Sequence, residues 1–300
     1  MSQAALQLRY NLERTLSRGS VSPVEAAPPF VRASGIGDCA RKQTYNAKVT
    51  QRTPWASASA LMAMQGNWME DGMANYLIHP GEEYNLFDQQ RELAYYKGDE
   101  LILKGHIDGL IQEDLGDVDS TTYLWEMKGM SAFRFHKLAT TNSVEKSDYG
   151  YFLQVQTYMT LLNAEGTKVP ACLFTVVAKD PSALNNVRRG TPPINPIYVE
   201  EIPWDPEMGE VMLTRAERLV SLMKNGELAD RERNPFRDWD CSERFCNFYA
   251  ECDPKRAMAV IPPPTRGGKR PGTGGYTHGT RRKSAAESNG GLASPEEDSD

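Results

Sequence analysis

Two short segments near the middle of the chain, a G-x-x-D motif ending at Asp108 and an E-x-K motif from Glu126 to Lys128, constrain its fold more than any other feature. Successive side chains of a β-strand point to opposite faces, so a strand over 122–130 would place Glu126 and Lys128 on one face, about 7 Å apart. A strand over 91–111 would run beside it as the other arm of a hairpin. The sequence therefore predicts a sheet on which Asp108 joins this pair.

The E-x-K motif alone is a weak signal, because exposed strands often alternate glutamate and lysine. Here the strand is mostly apolar, with Trp125 and Met127 on the opposite face, and charged groups in such a strand are costly to bury without a use. Two carboxylates and a backbone carbonyl could hold a hard divalent cation, and a nearby lysine could orient water and offset negative charge. The pattern favours phosphodiester hydrolysis.

Two predicted helices carry further polar groups. Glu70 lies on a helix predicted over 57–78 and could add a third acid, although a solvated helix glutamate would have the same pattern. Gln154 and Tyr158 are one turn apart on a helix predicted over 147–164, about 100° from its apolar stripe. We expect Gln154 to hydrogen-bond the site or a phosphate and Tyr158 to position the substrate, with a tyrosine at the edge of the core as the alternative.

The other periodic segments predict an α/β or α+β fold in which helices flank a sheet. Ser34 is expected to cap a helix that begins near Cys39. The remaining predicted elements are an amphipathic helix over 1–18, strands over 170–179 and 197–203, and a helix over 206–225.

In chain order, the helix acid, G-x-x-D, E-x-K and Q-x-x-x-Y resemble the motifs of the RecB-like branch of the PD-(D/E)XK nucleases, over about residues 30–252. The proline of the superfamily name is Ile107 here, and Met69-Glu70 stands where the helix motif often has a histidine. The resemblance implies a restriction-endonuclease-like core, a central mixed sheet flanked by helices, and DNA hydrolysis with Mg²⁺ or Mn²⁺. It implies a metal held by Glu70, Asp108, Glu126 and the Met127 carbonyl, and catalytic roles for Asp108, Glu126, Lys128, Gln154 and Tyr158.

Five cysteines are present, and three of them, Cys241, Cys246 and Cys252, lie within twelve residues. An odd number is unusual for a disulfide framework, and a reducing compartment favours metal binding. Three neighbouring thiols can converge on a soft metal centre, which then needs a fourth ligand. Cys39 lies in a polar segment and is the better candidate, because Cys172 lies in an apolar run typical of a core.

One early and three late cysteines resemble the iron-sulfur members of the same branch, including the CRISPR-associated RecB-like exonucleases and the AddB nuclease domain. Their late triplet is usually C-x2-C-x5-C, whereas the two intervals here are four and five residues. The resemblance implies a four-iron four-sulfur cluster, with zinc bound by four thiolates as the alternative. Either centre would close a loop of about two hundred residues and tie the ends of the core together.

Composition limits how the chain could meet DNA. The net charge is -6, and residues 261–300 hold six Lys and Arg against five Asp and Glu, so the remainder carries -7. Such a body does not bind duplex DNA through its overall charge. We expect local contacts instead, from the alternating aromatic and basic residues of 131–137, although an amphipathic connector explains them equally well.

We expect three regions: an N-terminal helix and linker over 1–29, a nuclease domain over 30–260, and a disordered tail over 261–300. The expected activity is that of a DNA exonuclease preferring single-stranded ends, of the kind that phages encode for recombination, replication or repair, with proteins of those processes as partners. The chain has no P-loop and no apolar segment long enough to cross a membrane, and it is expected in the cytoplasm, that of the host if it is viral. The alternatives are an inactive DNA-binding module of the same fold and a zinc-stabilised adaptor.

Overall fold

A computed structural model describes most of the chain between residues 29 and 252. The described residues are Gln7, 10–11, 29–49, 57–77, 84–113, 120–181, 184, 195–233, 241–242, 246–252 and 259–260. The chain divides into two units, Met1–Pro264 and Thr265–Asp300. Most of the expected N-terminal helix, the middle of the acidic loop before Ser120 and the tail lie outside the described residues.

The described strands form three sheets. The largest has the order β2-β5-β6-β7-β8, the second has the order β1-β4-β3, and β10 pairs with β9. The strands are β1 Val31–Arg32, β2 Tyr84–Phe87, β3 Glu92–Lys97, β4 Glu100–His106, β5 Gly109–Glu113, β6 Thr122–Met130, β7 Ala171–Ala178, β8 Ile197–Pro203, β9 Glu232–Arg233 and β10 Ala259–Val260.

Helices pack around these sheets. The described helices are a 3-10 turn over Ala33–Gly35, α1 Ala40–Lys48, α2 Ser57–Leu77, α3 Ala132–Thr141, α4 Val144–Ser147, α5 Tyr149–Ala164 and α6 Pro206–Lys224. The last helix shows why the sequence signals its start so clearly, because the Asp205 side chain accepts a hydrogen bond from the Met208 amide and Pro206 occupies the first turn.

The five-stranded sheet is mixed. Strands β6 and β7 run parallel, joined by the crossover through α3, α4 and α5, whereas β2, β5 and β8 pair antiparallel with their neighbours. Strand β6 is therefore central, and Leu124, Trp125, Glu126 and Met127 are all buried. The predicted α+β class, a mixed sheet flanked by helices, is confirmed.

The prediction of a single strand over 91–111 is wrong. That segment contains β3 and β4, which form a hairpin of the second sheet, and β5, which belongs to the large sheet. The chain leaves one sheet and enters the other at Ile107 and Asp108. The two arms of the predicted hairpin are β5 and β6 alone.

Helix α5 is also more deeply buried than its sequence suggested. Every residue from Phe152 to Leu162 is buried, because the helix is covered both by the sheets and by α6. The distinction between an apolar stripe and a polar flank carrying Gln154 and Tyr158 therefore fails. The polar groups on this helix are buried together with the apolar ones.

The expectation that Ser34 caps the helix is also wrong. Ser34 lies inside the 3-10 turn, and the residue before α1 is Cys39. Residues 132–137, part of the segment expected to contact DNA, form the first part of α3, so that Phe135 is buried while Phe133 is 82% exposed. An alternating pattern read at helical pitch places these two aromatic rings on different faces.

The loop between the 3-10 turn and α1 lies directly against the first turn of α5. A Cβ atom on Gly37 would be 2.7 Å from the Cα atom of Gly150. Only glycine at position 37 allows the two backbones to approach so closely. The segment that carries Cys39 is thereby fixed against the helix that carries Gln154.

No helix in the described part of the chain is both long and apolar enough to span a membrane.

Candidate active site

The site begins where the pairing of β5 with β6 stops. The two strands are paired as far as Gly109 and Trp125, and the chain then turns away at Asp108. The Asp108 carboxylate replaces the missing strand partner, because its Oδ2 atom accepts a hydrogen bond from the Met127 amide at 2.7 Å. The bend therefore places an acid beside an open stretch of β6.

Glu126 and Lys128 project into this opening, as their spacing predicted. The Nζ atom of Lys128 lies 2.6 Å from Oε1 of Glu126 and 3.5 Å from Oδ2 of Asp108. The Lys128 side chain is 21% exposed, whereas Glu126 is fully buried. The three predicted residues thus form one pocket, which opens to solvent on the side of the lysine.

Helix α5 supplies the back of the pocket. The side-chain amide of Gln154 donates a hydrogen bond to Oε1 of Glu126 at 2.7 Å and lies 3.5 Å from the Tyr158 hydroxyl. Tyr158 is only 2% exposed and packs against Gly105, where a Cβ atom would lie 2.7 Å from its hydroxyl oxygen. Gln154 therefore orients the glutamate, and Tyr158 supports this contact from behind.

Helix α2 brings the third acid. The side chains of Glu70 and Asp108 are joined by a hydrogen bond, and Gln90 donates a second hydrogen bond to Oε1 of Glu70 at 2.6 Å. Gln90 lies in the turn between β2 and β3 with a positive φ of 55°. This strained turn residue holds Glu70 toward the site, a contact that no motif in the sequence indicates.

The pocket gathers more negative charge than its lysine offsets. Burial, followed by the charge of Asp108, raises the pKa of Glu126 to about 8. The same two causes, in the same order, raise the pKa of Glu70 to about 7. Burial acts to lower the pKa of Lys128, but the carboxylates of Glu126 and Asp108 raise it above its usual range. The lysine therefore stays charged, and the acids share protons near neutral pH.

The donor set fits a hard divalent cation. Oε2 of Glu126 is buried and has no hydrogen-bond partner within the described structure, and a buried carboxylate oxygen needs one. Asp108 and Glu70 interact electrostatically with Glu126, so three carboxyl groups are gathered here, and carboxylate oxygens are the ligands that Mg²⁺ and Mn²⁺ prefer. Within the described ranges, however, no three His, Cys, Asp or Glu side chains stand in the arrangement of a bound ion. In this arrangement Lys128 bridges two of the acids.

A cationic and aromatic rim adjoins Lys128. Two cationic groups lie over the ring of Tyr151. The Lys128 ammonium is 5.9 Å from the ring centroid, and the Arg134 guanidinium is 5.6 Å from it. Arg134 also pairs with the buried Asp148, and its side chain is 39% exposed. Exposed Phe133 is its neighbour in the sequence. Arg134 belongs to the segment predicted to meet DNA, whereas Tyr151 was not singled out by any motif.

His106 is not part of the carboxylate pocket and instead lies beside Glu92 on the neighbouring strand. Its Nε2 atom is 3.4 Å from Glu92, and the side chain is half exposed. Since the chain bends after His106, this residue and Asp108 do not share a strand face.

The four cysteines expected to form a centre come from both ends of the described core. Cys39 accepts a hydrogen bond from the Glu232 amide at 3.5 Å, and Arg231 donates to Cys241. Cys246 and Cys252 each interact electrostatically with both Cys39 and Cys241. Thiols are suitable ligands for a soft metal or an iron-sulfur cluster. Cys172 lies apart from them, buried on β7 next to the carboxylate pocket.

A buried ion pair joins the segments that carry these cysteines. Arg215 on α6 binds both carboxylate oxygens of Glu232 at 2.7 and 2.5 Å. The same guanidinium donates to the carbonyl oxygens of Ile36 and Asp38, while Glu232 accepts from the Ala40 amide. A network of protein groups thus fixes the start of α1. The sequence contains one sign of this network, which is the arginine within the apolar stripe of α6.

Comparison with known proteins gives a limited result. No protein-family model and no curated protein sequence matches the chain. Among solved structures, it is similar to SSO0001, with 15% sequence identity, coverage of 84% of this chain and 98% of that one, and a TM-score of 0.48.

The chain is also similar to the alkaline exonuclease LHK-Exo from Laribacter hongkongensis, with 15% identity, coverage of 71% and 93%, and a TM-score of 0.40. For LHK-Exo in complex with dAMP, the identity is 17%, the coverage 65% and 88%, and the TM-score 0.36. The assignment of a function to this chain therefore depends on the site itself.

Proposed function

We propose that the chain is a metal-dependent nuclease that hydrolyses DNA phosphodiester bonds at the pocket of Asp108, Glu126 and Lys128. One observation carries the proposal: three carboxyl groups and a lysine converge in the core, and one oxygen of Glu126 is buried without a hydrogen-bond partner in the described structure. Buried acids with raised pKa values destabilise a fold and are concentrated at functional sites. A site that binds a cation explains why they are gathered here.

A divalent cation, Mg²⁺ or Mn²⁺, held by Glu70, Asp108, Glu126 and the Met127 carbonyl, would make hydroxide available near neutral pH and offset charge on the phosphate. The remaining work belongs to the protein. Lys128 keeps its charge and reaches solvent, so it can donate to the attacking water or to a phosphate oxygen.

Gln154 and Tyr158 are positioning residues in this scheme. Gln154 donates to Oε1 of Glu126 and leaves Oε2 available. Tyr158 is too deeply buried to touch DNA where it lies, and it keeps the Gln154 amide in place. Together they hold the glutamate in one orientation.

The rim of the pocket would meet the nucleic acid. Arg134 has nitrogen atoms to spare for a phosphate, and the exposed ring of Phe133 could stack on an unpaired base. These contacts support a preference for single-stranded ends and exonuclease action. Such an enzyme would serve recombination, replication or repair, in the manner of accessory nucleases encoded by phages.

The cysteines form the second part of the proposal. We propose that Cys39, Cys241, Cys246 and Cys252 hold a four-iron four-sulfur cluster, with zinc as the alternative. The support is that the four side chains interact electrostatically and that the flanking backbone and side-chain donors point at their sulfur atoms. The centre would tie the two ends of the core together.

The test of the nuclease is direct. Wild-type protein, Glu126→Gln and Lys128→Met would be incubated with end-labelled single-stranded and duplex DNA in Mg²⁺, Mn²⁺ or EDTA. We expect cleavage that needs the cation and falls roughly 10²- to 10⁴-fold in either variant.

The matched control uses the ion pair of Lys97 and Glu217, which has the same chemistry on the surface. Lys97→Met and Glu217→Gln should cleave like the wild type. Cleavage that survives both pocket substitutions would contradict the assignment of the site. Cation-independent DNA binding without cleavage would favour the inactive binding module instead.

A further inference from the structure

Arg231 is a buried arginine that none of the sequence motifs includes. It is 6% exposed and directly precedes β9. Its Nη2 and Nε atoms lie 2.7 and 3.3 Å from the sulfur atom of Cys241, and the guanidinium also interacts electrostatically with Cys39 and Cys252. One side chain therefore contacts one of the four cysteines and interacts electrostatically with two others.

This arrangement suits thiolates better than thiols. A neutral thiol is a weak hydrogen-bond acceptor, whereas a thiolate offers a full charge to a guanidinium. A centre with four cysteine thiolates carries net negative charge whether it holds zinc or an iron-sulfur cluster. A buried positive group in contact with it lowers the cost of placing that charge inside the protein.

We propose that Arg231 is a positioning and charge-balancing residue of the cysteine centre, donating two hydrogen bonds to the Cys241 thiolate. The inference rests on the centre proposed above. Its neighbour Glu232 has a different task, because the Glu232 carboxylate binds Arg215 and the first amide of α1. Of these two adjacent residues, Glu232 fixes the backbone that carries Cys39, and Arg231 acts on the sulfur atoms.

The charge has a measurable consequence. Hydrogen bonds to cysteine sulfur and the charge around a cluster set its reduction potential. A nearby guanidinium favours the reduced, more negative state, so its removal should lower the midpoint potential. A residue that merely supported the fold would leave the potential of the surviving centres unchanged.

The experiment compares wild-type protein with Arg231→Met and Arg231→Lys, all purified without oxygen. Iron, acid-labile sulfide and zinc would be measured per chain, followed by the rate of metal release to a chelator and the midpoint potential. We expect Arg231→Met to lose its metal roughly 10- to 100-fold faster and to show a lower potential. Arg231→Lys keeps the charge without the two-pronged contact, so its values should fall between those of the other two.

The control is Arg218→Met, because Arg218 is an exposed arginine on α6 whose partner Asp230 is also exposed. It should behave like the wild type. If Arg231→Met loads fully and keeps wild-type release kinetics and potential, the role of Arg231 is wrong. If Arg231→Met loads poorly, the same measurements on Arg231→Lys decide the matter, and wild-type values there would again overturn it.

A wild-type chain that carries neither iron nor zinc would overturn both the centre and the role of Arg231. That result would leave the nuclease assignment intact, since it is tested separately by Glu126→Gln.

Discussion

The carboxylate pocket and the cysteine region are built in opposite ways. The pocket lies in the middle of the large sheet, where burial and then the charge of Asp108 raise the pKa of both Glu70 and Glu126. The cysteine region, which consists of Cys39, Cys241, Cys246, Cys252 and their surroundings, lies where α1 and α6 meet residues 231–233 and 246–252. Its charges are paired, as Arg215 and Glu232 show. The rigid sheet can tolerate unfavourable charges, whereas the meeting point of distant segments needs favourable ones to hold it together.

Breaking the ion pair of the cysteine region should have the largest effect on stability. Arg215→Met would leave Glu232 as an uncompensated charge and remove the donors to Ile36 and Asp38. We expect a loss of about 3–5 kcal/mol in the free energy of unfolding, measured with denaturant. Arg218→Met on the same helix is the control and should change it by less than about 0.5 kcal/mol. Equal effects of the two substitutions would show that the pair does not hold this region.

Crowding the back of the pocket should come next. In Gly105→Ala, the new methyl group would lie 2.7 Å from the Tyr158 hydroxyl and 2.8 Å from Ala33. We expect a destabilisation of about 1–3 kcal/mol from overpacking. Gly72→Ala offers the matched control, because nothing lies within 4 Å of its added Cβ on exposed α2, and it should stabilise the helix by up to about 1 kcal/mol. A neutral Gly105→Ala would show that Tyr158 is loosely packed.

The charge conflict in the pocket should be visible as a dependence of stability on pH. Between about pH 5 and 8 the unfolded chain releases the proton of Glu126, while the folded chain keeps it because its pKa is raised from 4.5 to about 8. The free energy of unfolding should therefore fall as pH rises through this window in EDTA. Mg²⁺ or Mn²⁺ should restore it.

Glu126→Gln removes this conflict. The variant should have a flatter pH profile and be more stable by about 0.5–2 kcal/mol at pH 8, although we expect it to lose the proposed activity. Thermal unfolding of both proteins in EDTA across this pH range measures the difference. Parallel profiles would mean that Glu126 is not the group that titrates.

The smallest effect is expected at the edge of the cysteine region. Tyr45 on α1 stacks on Phe248 with ring centroids 5.0 Å apart, and its hydroxyl donates to the Glu251 carbonyl. Tyr45→Leu should destabilise the protein by about 0.5–1.5 kcal/mol through the loss of ring stacking, in addition to the effect of the lost buried apolar area. Tyr96→Leu, at an exposed position on β3, should be nearly neutral. The rate of proteolysis within residues 246–252, compared between the wild type and Tyr45→Leu, would show whether the stacking holds this segment in place.

The two regions also differ in how much of them the sequence reveals. The alternation of side chains along β6 predicted that Glu126 and Lys128 lie on the same face, because successive side chains of a strand point to opposite faces. The bend at Asp108 was not predictable from a segment that is strand-like throughout. The prediction of a polar flank on helix α5 failed for a related reason, since a helix that is covered on all sides has no contrast between an apolar and a polar face.

The cysteine region shows the other limit. Spacing along the chain indicated which thiols belong together, but not what brings Cys39 to residues two hundred positions later. The entropic cost of closing so long a loop grows only slowly with its length, so distance along the chain does not forbid the contact. The groups responsible, Arg215 and Glu232, are ordinary charged residues in the sequence, and only their burial distinguishes them. The same holds for buried Arg231, whereas Gln90 is exposed and matters through its contact with Glu70, which no sequence pattern indicates.

The bare contact between Gly37 and Gly150 has a consequence for how this protein can change. Any side chain at position 37 would push against the beginning of α5, and Gln154, whose side-chain amide restrains Glu126, lies about one turn further along that helix. A substitution at position 37 would thus disturb the segment that carries Cys39 and the helix that carries Gln154 at the same time, whereas a Cβ atom at position 150 would meet only Oδ1 of Asp148, at 3.8 Å.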